Sequence, residues 1–297
     1  PSAATRHAPH RAFTLMELMV VTATLSLLVG VLVPSLARAR HAARSVVCKS
    51  NIRQLHAANT LYANDNRDLY VPAAADINDG FGGQHRWHGV RHAESVDADD
   101  DQNVFDPNRG PLAIYIPDGQ IKECPANPRY ATAGADNAFE SGGGGYGYNM
   151  IGAGSRFYEP GWSRDQLKRA NYQPTLAGAI ASSIQKPDRT VMFTDSAFLQ
   201  YVTGRGHFLT EYSFCEPPWA VSPTVRGPSI ATGQPADDWM LVPSIHFRHL
   251  DKTNVAWIDG HVDDQTMTFS LRRAAIHYAD HQLGWFGRQN NDLFDPY

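Results

Sequence analysis

The sequence predicts an α+β protein: one long N-terminal helix packed on an antiparallel sheet that is enlarged by loops. Three observations predict it. Residues 18–37 form a run of twenty without a formal charge, and a helical pattern of apolar residues continues from there to about Asn64. Residues 254–258 and 261–263 read as two strands around the turn dipeptide Asp259-Gly260. Polar stretches rich in Gly, Pro and Asp fill much of the chain between them.

A helix rises about 1.5 Å per residue, so the uncharged run is roughly 30 Å long and matches the hydrocarbon core of a bilayer. It can span a membrane. A cleaved signal peptide would have a shorter apolar region of about 7 to 15 residues, although Ala37-Arg38-Ala39 imitates a cleavage site and would leave a soluble protein starting at Arg40. Glu17, at the edge of the run, argues for more than an anchor, since acids at membrane depth are costly and usually have a partner. Its simpler role is an interfacial acid favoured by the helix dipole. Pro34 removes one helix hydrogen bond, so a kink or local melting is expected there.

Beyond Pro34, Cys48, Ile52, Leu55, Ala58 and Tyr62 recur at three- and four-residue steps, which gives the outer half of the helix an apolar face. Arg38, Arg40, Arg44, Lys49 and Arg53 cluster just past the span, against the positive-inside rule if the C-terminal bulk is exported. From Asp65 to about Asp106 the chain reads as loops with at most short elements. The acidic runs at residues 76–80 and 97–101 there offer hard oxygen ligands for calcium, but without EF-hand spacing. Gly142 to Gly145 read as a turn into a strand at Tyr146-Gly147-Tyr148-Asn149, since no Lys-Ser/Thr follows to make a phosphate loop. Residues 190–194 read as a buried strand that follows the turn at residues 186–189 and ends at Asp195. Residues 216–235 read as a surface excursion carrying Trp219, and a short helix is expected near residues 269–281. The 254–263 hairpin is expected to turn through a type I′ Asp259-Gly260 pair.

With 297 residues, 42% of them apolar, the chain can bury a core beyond the helix. It carries 26 basic and 30 acidic residues, which makes nucleic acid an unfavourable partner. Its cysteines, Cys48, Cys124 and Cys215, allow one disulfide with a thiol left over, Cys48 with Cys124 being preferred, or three buried thiols.

The segment RAFTLMELMVVTATLSLLVGVLVP, from Arg11 onward, resembles the N-terminus of type IV prepilins and type II secretion pseudopilins. The resemblance implies a leader of residues 1–12, cut by a prepilin peptidase between Ala12 and Phe13, and an N-methylated Phe13. Ala12 stands where the family usually has Gly. The resemblance also makes Glu17 the family's assembly acid and Pro34 its helix-loosening proline. An ammonium on Phe13 and a carboxylate on Glu17 of the same or a neighbouring subunit would attract strongly in a low-dielectric bundle and set the register of a filament. Further on, Cys48-Lys49-Ser50-Asn51-Ile52-Arg53-Gln54-Leu55, Cys124-Pro125, Tyr146-Gly147-Tyr148-Asn149 and His249 followed after nine residues by Asp259-Gly260 resemble the planctomycete-type pseudopilin-like proteins with an H-X9-DG C-terminal domain. That resemblance implies a type IV pilin-like fold with a helix over 13–64, a membrane span at about 18–37 and a head over 65–297. It implies a single-pass inner-membrane protein with a periplasmic head. Its partners would be prepilin peptidase, other pilin or pseudopilin subunits and the secretion or pilus assembly machinery, with no catalysis required of this chain.

The thirteen histidines raise a second reading, a membrane-tethered extracytoplasmic metal-dependent hydrolase or glycan-binding protein. His246, His249, Asp259 and His261 could converge beside the hairpin as zinc or iron ligands. The plainer account has His249 bonding across the sheet and Asp259 serving the turn, and no cofactor is expected. His277 with His281 imitates an inverted zinc-protease motif but with Asp280 in the place of Glu. His88 and His92 are also four apart, but Gly89 disfavours a helix between them.

Overall fold

The computed structural model describes residues 14–77, 83–91, 105–127, 142–156, 176–202, 204, 206–219, 240–273 and 276–297. Ala12, Phe13, His92, the acidic run at 97–101 and most of the 216–235 excursion lie outside them. The chain divides into two compact units, residues 1–43 and 44–297, and is α+β with antiparallel sheets.

Helix α1 runs Leu15–Asp65, within a residue of the expected end. It is long and apolar enough to cross a membrane, and none of its apolar window is buried. The helix continues through Pro34, and the local melting expected there does not occur. The helix stops where Arg67 and Asp68 take left-handed φ of 59° and 65°. Its buried residues are Cys48, Asn51, Ile52, Leu55, Ala58, Asn59 and Ala63, so two asparagines join the expected apolar stripe. Asn59 has a reason to be inside: its amide donates to the Tyr148 hydroxyl (3.1 Å) and its carbonyl accepts the Val71 N–H (2.9 Å).

Strands β1 (His85–Arg86), β2 (Gly89–Arg91) and β3 (Phe105–Asp106) form a small antiparallel sheet in the region expected to be mostly loop. Strands β4 (Tyr146–Tyr148) and β5 (Val191–Asp195) begin the central sheet, and β6 (Phe198–Val202) and β7 (Gly206–Thr210) make a hairpin. After β8 (Ile245–His246), β9 (Lys252–Trp257) and β10 (Val262–Thr266) complete the central sheet in the order β10-β9-β5-β4. Strands β11 (Arg272–Arg273) and β12 (Ile276–His277) pair with each other, and β13 (Leu283–Gly284) pairs back to β8. The main core joins Cys48, Ile52, Leu55 and Ala58 of the helix to Tyr146, Tyr148, Phe193 and Ala256 of the sheet.

Two local expectations need correction. Among the described residues of 269–281 no α-helix forms: they make the β11–β12 ladder and one 3-10 turn, Tyr278–His281. Phe269 and Leu271, and then Ile276 and Tyr278, stand two residues apart and pack into two different clusters, a spacing of two within each pair that the helical reading overlooked. His277 caps that turn and His281 ends it, so they do not share a helical face.

The hairpin of β9 and β10 forms with Val262 opposite Ala256, but its turn is not type I′. Of the turn residues only Gly260 has positive φ, +95°, and its N–H donates to the Trp257 carbonyl, as in a type I turn with a glycine bulge. The cause is Ile258, which is pulled into the core with its N–H on the Thr190 carbonyl, adding a residue to the loop. Positive φ at both central residues, as type I′ requires, occurs instead at Leu250 (54°) and Asp251 (63°), just after His249.

The Asp259-Gly260 turn also docks on the helix. His56 Nε2 lies 2.9 Å from the Ile258 carbonyl, and a Cβ on Gly260 would come 3.1 Å from the His56 ring. Gly260→Ala therefore meets both a left-handed backbone and a crowded neighbour, and it should cost about 1–2 kcal/mol. Urea titration of the full chain in detergent checks this; an unchanged midpoint would show that the turn does not need glycine.

Candidate functional site

Four polar side chains meet inside the head. Cys48 comes from α1, Asp195 ends β5, His249 precedes the tight Leu250-Asp251 turn into β9, and Cys124 sits in the loop before β4. They close a ring. Cys48 Sγ lies 2.7 Å from Cys124 Sγ and 3.1 Å from Asp195 Oδ1, Cys124 Sγ lies 3.4 Å from His249 Nε2, and His249 Nε2 lies 3.3 Å from Asp195 Oδ2. All four are buried, from 0% exposed at Cys48 and Asp195 to 5% at His249. All three cysteines are free thiols, Cys215 being buried apart from the pair.

Local folding explains why these groups converge. Asp195 pairs with Tyr146 across β4 and β5, and its Oδ2 accepts the Asn254 N–H of β9 at 2.8 Å, which fixes the carboxylate between two strands. The Tyr146 hydroxyl lies 3.4 Å from Cys48 Sγ. Arg248, also buried, donates to the Ser196 carbonyl and to Asn127, so a cation stands beside the acid.

Charge is distributed around the ring by these contacts. Burial opposes ionisation of Asp195, but the hydrogen bond from His249, the charges of His249 and Arg248 and the Asn254 N–H outweigh it and hold the carboxyl below its usual range. Burial likewise opposes a proton on His249, yet its bonds to Asp195 and Cys124 raise it to about 9. Burial pushes the Cys48 thiol up, while Cys124, accepting from Cys48, is lowered to about 6. The ring thus holds an ion pair next to one thiol that keeps its proton and one that gives it up readily.

The cluster of His246, His249, Asp259 and His261 raised as an alternative to the plainer account does not assemble. Strand β9 runs between His249 and Asp259 and keeps them at opposite ends. Asp259 and His261 pair with each other at 2.6 Å on the partly exposed turn, where the His261 ring stacks on Trp257. His246 is buried in β8, its pKa well below the usual range because burial disfavours the charge. His88 is buried beside Arg86 and Arg91 and lowered to about 3, first by burial and then by the two cations. Asp76, from the first acidic run, spends its carboxylate on the N–H groups of Gln84 and His85. Trp219 is half-buried, its indole donating to the Gln289 carbonyl.

Sequence reasoning missed Asp195 as a site residue and paired Cys48 with Cys124 without bringing His249 to them as one site. A signal existed: Asp195 closes a strand whose five residues are all buried, an unfavourable place for an acid without a partner. The H-X9-DG resemblance had also put Cys48, Cys124, Tyr146 and His249 in its four motif stretches, and these four side chains meet. A surface cleft of about 310 Å³ lies elsewhere, between Lys186, Arg189, Arg288 and Asp292.

Comparison with known proteins adds no relative: no family model, no curated protein and no solved structure matches the chain.

Removing one member of a buried ion pair strands the other, so Asp195→Ala should destabilise the chain by about 3–5 kcal/mol. Denaturant titration of the variant checks this, and a loss below about 1 kcal/mol would mean that the pair is not ionised in the fold.

Proposed function

We propose that the chain is a pilin-like structural subunit, a pseudopilin, of a type II secretion pseudopilus or a type IV pilus-like filament. It enters the inner membrane through residues 18–37, is cut between Ala12 and Phe13 by prepilin peptidase, and carries its head on the periplasmic side. Assembly machinery then draws it into a helical array with other pilin or pseudopilin subunits.

The observation that supports this most is the division of labour along one helix. From Leu15 to Leu36 the large apolar side chains are about half exposed or more, whereas Cys48, Ile52, Leu55 and Ala58 belong to the head core. Such an apolar surface needs lipid or other helices against it. The polar residues in the run suit that setting, because Thr22, Thr24, Ser26 and Ser35 bond carbonyls of their own helix.

Glu17 has a partner before assembly. Thr14 and Glu17 form a capping box: the carboxylate accepts the Thr14 N–H at 2.8 Å and the Thr14 hydroxyl accepts the Glu17 N–H at 3.2 Å. The sequence spacing Thr-x-x-Glu carried that signal. In a filament the same carboxylate would be exchanged from a neutral cap to the ammonium of Phe13, a stronger partner in low dielectric. The competing reading, a metal-dependent hydrolase, needs a ligand position open to water, and the one group of metal-ligating side chains among the described residues is buried throughout.

Intact-mass and N-terminal sequencing of the native protein should give N-methyl-Phe13 as the first residue. Glu17→Val should reach the membrane at normal levels yet yield few filaments; normal filament yield, or a mature terminus at Arg40, would refute the assembly role.

A further inference from the structure

We propose that Cys48, Cys124, Asp195 and His249 bind one zinc-type divalent cation in a closed, structural site. This goes beyond the assembly role and does not depend on it.

The donors are suitably placed. Their four ligand atoms all lie within 4.8 Å of one another. Tetrahedral zinc, with bonds of about 2.0 to 2.3 Å, separates its ligand atoms by about 3.3 to 3.8 Å. With Asp195 Oδ1 as the carboxylate ligand, the Cys124–His249 edge, 3.4 Å, falls in that range, and the edge from Cys48 to Asp195 Oδ1 is close to it at 3.1 Å. On loading, the two sulfurs would separate by about 1 Å from their 2.7 Å contact.

Donor chemistry selects the metal. Two thiolates, an imidazole and a carboxylate suit zinc, whereas calcium and magnesium require oxygen ligands. The ion would displace the two thiol protons and the proton His249 shares with Asp195, leaving two thiolates, one carboxylate and a neutral imidazole around a dication. The residual negative charge faces Arg248, whose guanidinium is buried beside the ring. The outer contacts hold ligands in place: Asn254 N–H fixes the free carboxylate oxygen of Asp195, and Tyr146 reaches Cys48.

A plain disulfide uses this arrangement less well. It would consume both sulfurs and leave the buried Asp195–His249 pair facing an apolar S–S bond, whereas a cation employs all four groups. The site also joins segments remote in sequence, Cys48 being 76 residues from Cys124 and 147 from Asp195. Closing loops of that length favours a large gain in stability from the ion.

The test is metal analysis of the full chain, purified in detergent from zinc-supplemented cells, with cobalt exchange and a thiol count in denaturant and chelator. Expected are one zinc per chain, thiolate-to-cobalt charge-transfer absorption after exchange, and all three thiols titratable. His249→Ala and Cys124→Ser should lose the zinc, while Cys215→Ser keeps it. A single titratable thiol would establish a Cys48–Cys124 disulfide and overturn the proposal. So would three thiols with no zinc or cobalt bound at saturating metal. The wild-type cobalt spectrum and thiol count need no variant to fold, and neither measures filament assembly.

Discussion

The Asp195 carboxylate is placed where an apolar side chain would cost least, at the end of a fully buried strand and under the helix. An ionised acid there is tolerable only if several groups converge on it. The Asn254 N–H, the His249 ring with its neighbour Arg248, and the Cys48 thiol supply that company from three segments. The rest of the head follows from satisfying this one charge. The β5–β9 register places Asn254 within reach, the Leu250-Asp251 turn sets His249 just upstream, and the helix presents Cys48 on the same stripe as Ile52 and Leu55. Removing any one of these contributors leaves the others desolvated without their partner, which makes the arrangement specific as well as costly to disturb.

The same view explains what the motif stretches do. The nine residues between His249 and Asp259 are the length needed for a tight turn, strand β9 and the entry to the next turn. His249 then works at one end of the strand, in the buried ring. At the other end the Asp259-Gly260 turn works against His56, whose own pKa is lowered because burial outweighs the bond it makes to Ile258. One strand therefore fastens the sheet to two places on the helix about two turns apart, around Cys48 and around His56.

How much of this was legible depends on the range of the interaction concerned. The helix and its end, the buried strand ending at Asp195 and the 254–263 hairpin are local patterns of period 3.6 or 2, and their bounds agree with the structure within one to three residues. Turn type was misread because it depends on Ile258, whose burial against residues near Thr190 is a tertiary fact. In the 269–281 segment Arg272, Arg273, Ala274 and Ala275 favour a helix by propensity, but the burial of Phe269, Leu271, Ile276 and Tyr278 beside β13 prevails, and that packing is tertiary. The ring of Cys48, Cys124, Asp195 and His249 is wholly non-local, and no spacing along the chain encodes it. What the sequence did carry was the anomaly of each member: an acid closing an apolar strand, and two cysteines and a histidine each within a recognisable motif.

Two demands meet on one helix, and they are met by different chemistry. Near Glu17 the partner of the carboxylate among the described residues is Thr14, through exposed hydrogen bonds that water can replace at small cost. Near Cys48 the helix must not change partners at all, so its polar contacts are buried and shared among four segments. Buried polar groups resist separation because each would be left unpaired in an apolar interior. The first turn of the helix thus carries an acid whose bonds exchange readily with water, while the turns around Cys48 carry contacts that hold the helix to the sheet.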